Sequence, residues 1–307
     1  MSGAVRRRLD DGRWHFQHGP IDCIVQAEGE AGAAAECVER AWARFGGVLD
    51  ELVGELPLLR SDLGSPAGAQ VAPKGAIARR MVEACRAHAS GGRFITAMAA
   101  VAGSVAEELI AAFADRRIAR AYVNNGGDIA LHLSGDASFD VGLVADPARG
   151  RAGLPLDVRF AINACSPVRG IATSGWRGRS FSLGIADAAT VLAASASAAD
   201  AAATVIANAV DVGDARIVRR PANEIRDDSD LGDRLVTCAV PPLSATAIEA
   251  ALGAGAQAAR AEIARGRIIA AVLLLQGRVV VVEADGDAPT AATIRRLEPL
   301  SRSLAPC

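Results

Sequence analysis

Lysine is almost missing from this chain. Lys74 is the only one among 307 residues, and every other basic residue is arginine. Alongside heavy alanine use, this is a bias of composition and carries no functional weight. One-sided charge is missing too. Lys and Arg number 33 against 35 Asp and Glu, a formal net charge of −2. That balance points neither to nucleic acid nor to an anionic membrane surface. Aromatic residues make up only 4% of the chain, so the core must be built from Ala, Val, Leu and Ile. The six cysteines, Cys23, Cys37, Cys85, Cys165, Cys238 and Cys307, form no CxxC pair and no dense framework. They read as small core residues with reduced thiols. The four histidines are dispersed, and even the His15–His18 neighbourhood is a weak metal signal.

Long apolar runs are also lacking. The longest, "IIAAVLLLQGRVVVVE" (268–283), is interrupted by Gln276, Gly277 and Arg278. It is too short to span a bilayer and predicts a β-hairpin turning at "QGR". The arginines of "MSGAVRRRLDDGRWHF" have no apolar core behind them, so no secretory signal is read there. The expectation is a soluble, cytoplasmic protein.

What is present is a mixture of helical and extended patterns. Residues 13–28 predict two short strands, and 29–56 a helical region that Gly46 and Gly47 can break. A loop is expected over 57–68 and an amphipathic helix over 75–89. A Gly-rich turn, a short extended piece and a long helix rich in small residues should follow over 90–116. "IARAYVNNGGDIALHL" (118–133) reads as strand, turn, strand. Further strands are expected over 138–146 and 160–175, and helices over 198–210 and 245–266. The segment "TAATIRRLEPL" predicts a short helix within a tail, 284–307, that has no core pattern of its own. Without regular βαβ alternation, these elements predict an α+β fold with a mixed, largely antiparallel sheet. Residues 1–283 read as one domain.

Three stretches carry residue types suited to chemistry. In "NNGGDI" (124–129) two glycines suit a tight turn or a close ligand approach, beside Asp128. In "GIATSGW" (170–176), Thr173, Ser174 and Gly175 follow an apolar run, where hydroxyls and a glycine can hold phosphate oxygens or simply end a strand. In "SAADAAATV" (197–205), Asp200 and Thr204 stand at i, i+4, on one face of a helix. A carboxylate and a hydroxyl so placed can share a hard cation, or be an acid near a helix start and a buried threonine. Asp187, in "GIADAATV", reads first as a cap or strand-end turn.

In order and spacing these stretches resemble the ApbE family, the FAD:protein FMN transferases. The likeness is closer to a divergent, uncharacterised ApbE-like branch, through "QHGPID" (17–22), "ELVGELPLLR" (51–60), "FITAMAAVAGSVAEEL" (94–109) and "SLGIADAATVLA" (182–193). The resemblance implies an ApbE-like (T-fold-like) fold, FAD and Mg²⁺ as cofactors, and phosphoryl-type transfer of FMN to a Ser or Thr of an acceptor protein. It implies Asp200 and Thr204 as Mg²⁺ ligands. Asn125, Gly126 and Gly127 would lie on the flavin nucleotide, and Thr173, Ser174 and Gly175 would form the neighbouring wall. Asp128 and Asp187 are the candidates for assisting deprotonation. Two departures stand out. "TAMAAVAGSVAE" (96–107) lacks the lysine of the family's D-L-G-x-I-A-K-G-Y-like stretch. "SFSLGIADAAT" (180–190) lacks its histidine and D-P-x-T-G. FAD hydrolysis, a non-catalytic flavin- or heterocycle-binding protein, and an enzyme of another cofactor pathway such as pterin-linked one-carbon metabolism remain alternatives. A homodimer is compatible with the pattern.

Overall fold

A computed structural model describes residues 3–143 and 158–284, and the backbone of 293–295. The chain begins with β1 (Val5–Arg8), β2 (Trp14–His18) and β3 (Ile21–Gly29). The helices α1 (Ala31–Phe45), α2 (Val48–Gly54), α3 (Leu56–Leu59), α4 (Ala76–Arg86) and α5 (Val101–Ile110) follow. Next come β4 (Ile118–Asn125), β5 (Asp128–Leu133), β6 (Ser138–Leu143), β7 (Val158–Asn163), β8 (Gly170–Ser174) and β9 (Ala188–Ala193). The remainder is α6 (Ala196–Ala209), β10 (Val218–Pro221), α7 (Ala222–Ile225), β11 (Leu235–Ala239), α8 (Ala245–Ala264), β12 (Ala270–Leu275), β13 (Arg278–Glu283) and β14 (Thr293–Arg295).

Nine strands form one sheet in the order β1-β2-β3-β4-β5-β8-β9-β12-β13. Every neighbouring pair in it is antiparallel. The α+β class and the antiparallel sheet expected from the pattern are therefore present. Helices cover one face in two clusters. One packs α1, α4 and α5 on β2 to β5 around Phe16, Phe45 and Met81. The other packs α6 and α8 on β8, β9 and β12. On the opposite face, β6 and β7 set Phe160 and Ile162 against Leu131, Ile171 and Leu274. With both faces covered, β9 and β12 are buried along their whole length. This is why they read as unbroken apolar runs rather than alternating ones.

Several local expectations need adjustment. The helical region does break at the glycine pair, between α1 and α2. The loop expected from 57 opens with one helical turn, because Pro57 falls in the first turn of α3, where its missing N–H costs nothing. The long helix expected up to 116 is only α5. Ala100, at φ −129°, separates it from a preceding 3-10 turn, and a second 3-10 turn at Ala111–Phe113 follows it. The hairpin at 268–283 forms, with Gln276 and Gly277 both at positive φ, 44° and 78°, as a two-residue turn requires. In the tail, the segment expected as a short helix instead supplies β14, which pairs with β7. β-Branched Thr293 and Ile294 suit a strand. Residues 144–146 of the strand expected over 138–146, Cys307 and most of the tail lie outside the described residues. No helix among the described residues is long and apolar enough to cross a membrane.

Candidate functional site

Strand register gathers distant turns at one end of the sheet. Cys23 pairs with Asn125, Asn125 with Asp128, Ile129 with Ile171, Ser174 with Ala189, and Ala188 with Leu274. The β2–β3, β4–β5 and β12–β13 turns, the end of β8 and the start of β9 therefore share one edge. The segments 93–99, 175–181 and 226–231, with the flanks of α6 and α8, wall a cavity of about 1050 Å³ against that edge.

Of the ten residues singled out in the sequence, nine line this cavity: Gly126, Gly127, Asp128, Thr173, Ser174, Gly175, Asp187, Asp200 and Thr204. Asn125 is not among the lining residues. It is only 7% exposed, its Nδ2 donates to the Ala102 carbonyl at 3.2 Å, and its Oδ1 accepts the Asp22 amide at 3.4 Å. Alternation along β4 turns its neighbour Asn124 toward the cavity instead. Asn124 Oδ1 accepts the Gly127 amide at 2.8 Å and so fixes the turn. Gly126 and Gly127 adopt φ of 68° and 116°, a backbone that side chains rarely allow.

Asp128 opens β5 and its Oδ1 accepts the Thr173 amide at 3.1 Å. Burial pushes its pKa up to about 7. Asp200 sits one turn into α6, and its Oδ2 accepts the Gly103 amide of α5 at 2.9 Å. Burial raises its pKa well above the usual carboxylate range, and the neighbouring Asp128 charge raises it further. The Gly103 and Ala102 amides only partly oppose this. Among the described residues no guanidinium acts on either carboxyl group. Thr204 stands on the next turn of α6, on the cavity side.

Two carboxyl groups that disfavour each other's charge, with a hydroxyl beside them, are an all-oxygen donor set of the kind a hard cation takes. The residues present therefore fit Mg²⁺. Among the described residues no trio of His, Cys, Asp or Glu could hold a metal, so the rest of such a shell would be water or ligand oxygens.

Asp187 has a different place. Its Oδ1 accepts from Trp176 Nε1 at 3.1 Å and Arg177 Nε at 2.8 Å, and its Oδ2 accepts the Gln276 amide at 2.6 Å. It ties the 175–181 segment to the β12–β13 turn. Gly175 makes that path passable, since a Cβ there would lie 2.6 Å from the Asp187 carbonyl oxygen. Thr173 Oγ1 pairs with Thr190 Oγ1 at 2.8 Å, which locks the end of β8 to β9.

Other lining residues were not singled out in the sequence. Asn208 follows Asp200 and Thr204 at i+8, and its Oδ1 accepts the Leu183 amide at 2.9 Å. That spacing was readable. Arg60, Arg93, Arg177, Arg179, Arg226 and Arg265 also line the cavity. They come from five separate segments, and no spacing marks them.

The family model described as AbpE bacteria matches residues 6–281. Curated relatives include a UPF0280 protein of Methanosphaerula palustris, 39% identical over 138 residues, which are 45% of this chain and 54% of that protein. Another, from Methanococcus vannielii, is 42% identical over 116 residues, 36% of this chain and 44% of that protein. The chain spans about half the length of the curated relatives it matches. Among solved structures, the ApbE protein of Thermotoga maritima aligns over 92% of this chain and 96% of its own, at 11% identity and a TM-score of 0.44.

Proposed function

The chain belongs to the family described as AbpE bacteria, a divergent ApbE-like group, and from that premise we propose that its cavity binds FAD or a related flavin nucleotide together with Mg²⁺, and passes FMN to a Ser or Thr of an acceptor protein. The observation that carries this reading is the Asp128–Asp200 pair, two half-buried carboxyl groups facing one cavity with no guanidinium of the described residues offsetting them.

Asp200 and Thr204 would hold the cation, which when bound would offset charge on pyrophosphate oxygens. The chain's own residues do the remaining work. The Gly126–Gly127 turn brings backbone close to a ligand without side chains in the way. Ser174, on the same wall, offers a hydroxyl to non-reacting oxygens. Arg179, whose Nη1 lies 3.3 Å from where a Gly126 Cβ would stand, brings positive charge to the same turn. Asp128 stands opposite Asp200 with one oxygen bound by the Thr173 amide, and is the carboxylate placed to accept a proton from an incoming hydroxyl. Asp187, occupied by three donors, keeps the wall in place rather than moving protons.

The test is titration of FAD into the purified protein with and without Mg²⁺, following flavin absorbance and AMP release. The expected result is Mg²⁺-dependent binding with AMP release, both lost in Asp200→Asn. Equal binding without Mg²⁺ would overturn the cation's role, and no flavin binding would overturn the ligand class. Tight binding of intact FAD with no AMP would make the protein a carrier.

A further inference from the structure

The last turn of α6 carries a carboxamide whose two ends are used differently. Asn208 Oδ1 accepts twice, from the Leu183 amide at 2.9 Å and from Ser182 Oγ at 3.2 Å. Ser182 is buried, and its Oγ in turn accepts the Gly184 amide at 3.2 Å. That amide brings its own hydrogen to Oγ, so the hydroxyl hydrogen is free to point at Asn208. Both donors require an oxygen where Oδ1 stands, which fixes the carboxamide against a flip. The segment 182–185 is itself held against the end of α6. The Ile185 amide donates to the Val210 carbonyl at 2.8 Å, and the Thr237 amide to the Ser182 carbonyl at 2.9 Å. A Cβ on Gly184 would lie 2.2 Å from the Ala207 carbonyl oxygen.

The NH₂ group is left over. Among the described residues Asn208 Nδ2 has no hydrogen-bond partner, yet it is not one of the polar atoms sealed inside the protein, so it opens on accessible space. Ile206 and Ala207 beside it are buried, and the space it meets is the cavity, which Asn208 lines with Leu183 and Ala209. The acids of the cavity are engaged elsewhere. Asp228 pairs with Arg60, Asp230 with Thr96, Glu262 with Arg265 and Arg267, and Asp187 with its three donors. Asn208 stands eight residues beyond Asp200 on the same helix, roughly 12 Å along its axis. With both acceptor positions of its oxygen spent, it is no cation ligand. It is a neutral donor. Phe181, one residue before Ser182, also lines the cavity and carries the Arg226 guanidinium 5.2 Å from its ring centroid, so a planar group already stacks on this wall.

We propose that Asn208 determines ligand specificity: its NH₂ donates to a neutral acceptor, a ring carbonyl oxygen or a ring nitrogen, on the heterocyclic end of the molecule whose phosphate meets Asp200 and Thr204. This rests on the proposed function for the phosphate end and deepens it by naming the residue that reads the heterocycle. Ser182 and the Leu183 amide are positioning groups, since they decide which end of the carboxamide the cavity sees. A donor held in this way discriminates strongly, because a ligand without the acceptor leaves the NH₂ unpaired once water is displaced.

The test compares the full chain with Asn208→Asp, which keeps an oxygen for Leu183 and Ser182 and removes the NH₂. Calorimetry measures inorganic pyrophosphate, ADP and FMN, each with and without Mg²⁺. Pyrophosphate has no heterocycle, adenine offers ring nitrogens only, and the flavin ring adds carbonyl oxygens. In the variant the affinity for ADP or FMN should fall about tenfold. That for pyrophosphate, bound at the distant end, should change less than about twofold, which also shows that the variant is folded. The nucleotide that loses more names the acceptor. Equal losses for nucleotides and pyrophosphate, unchanged nucleotide affinity, or no nucleotide binding to the wild type overturns the role of Asn208. Nucleotide binding that depends on Asn208 but not on Mg²⁺ removes the proposed function and leaves this inference standing. Mg²⁺-dependent AMP release from FAD with the same KM in both proteins does the reverse.

Discussion

Glu107 and Asp200 cap each other's helices. Glu107, on α5, accepts the Ser197 amide at the start of α6 at 3.0 Å, and Asp200, on α6, accepts the Gly103 amide at the start of α5 at 2.9 Å. Each carboxylate meets the positive end of the other's helix, where unpaired amides and the macrodipole favour negative charge. The exchange is possible because the helices nearly touch. A Cβ on Gly103 would lie 2.3 Å from the Ala196 carbonyl oxygen and 2.8 Å from Asp200 Cβ. The carboxylate proposed to hold the cation is thus also a joint of the core.

Gly103→Ala should push α5 and α6 apart and destabilise the protein by about 2 kcal/mol, the usual scale of overpacking. Urea unfolding of the variant beside wild type measures it. An unchanged midpoint would mean that the helices can separate freely.

The acid pair should make stability depend on pH. A carboxyl group whose folded pKa is raised binds more protons folded than unfolded. Its stabilising contribution is present below the unfolded value, near 4, and is lost as pH rises through the folded value, about 7 for Asp128. Without divalent cations the protein should lose on the order of 2 kcal/mol between pH 5 and pH 8 from this source. Mg²⁺ should restore part of that loss at pH 8 and little at pH 5, because the cation and the protons compete. Denaturant midpoints in EDTA and in Mg²⁺ across this range test it, and a flat EDTA profile would contradict it.

Asp200→Asn separates the two roles of that side chain. The amide oxygen can still accept from Ala102 and Gly103, while the repulsion from Asp128 disappears. In EDTA at pH 8 the variant should be more stable than wild type, by about 1 kcal/mol. It should gain nothing from Mg²⁺. Thermal unfolding with and without the cation reads both.

Thr204→Val keeps the shape of the side chain and removes the hydroxyl. Folding stability should change by less than about 0.5 kcal/mol, while Mg²⁺ affinity, read by calorimetry, should fall roughly tenfold. A full loss of folding would make Thr204 a structural residue.

Asp187→Asn leaves one of its three donors without an acceptor in a buried setting. The cost should be about 1–3 kcal/mol. Trp176, whose indole N–H donates to Asp187, should report the change as shifted fluorescence. An unaltered emission spectrum would argue that the 175–181 segment does not depend on Asp187.

Much of the fold was legible because local patterning and tertiary structure agree in it. The two-residue turns at Gly126–Gly127 and Gln276–Gly277 and the helices α4, α6 and α8 each carry their own signal. β14 escaped because it is only three residues long and its partner β7 lies about 130 positions earlier. In the candidate site, Asp128, Asp200 and Thr204 were legible through motif spacing. Asn125 was assigned toward the ligand, yet pleat alternation turns Asn124 to the cavity, a one-residue parity that an Asn-Asn pair conceals. The arginines of the cavity wall were illegible. Their convergence depends on loop paths that leave no period in the sequence.

The sequence separation of 89 between Asp187 and Gln276 sets an order on biosynthesis. One oxygen of Asp187 can be satisfied only after the β12–β13 turn has been made, and β9 gains its outer neighbour β12 at the same moment. During translation, the cavity wall built on Asp187 therefore waits for the last hairpin. A nascent chain stalled before Gln276 would hold its carboxyl pair in an unfinished vestibule. The wall of the candidate site closes only when the sheet is complete to its far edge.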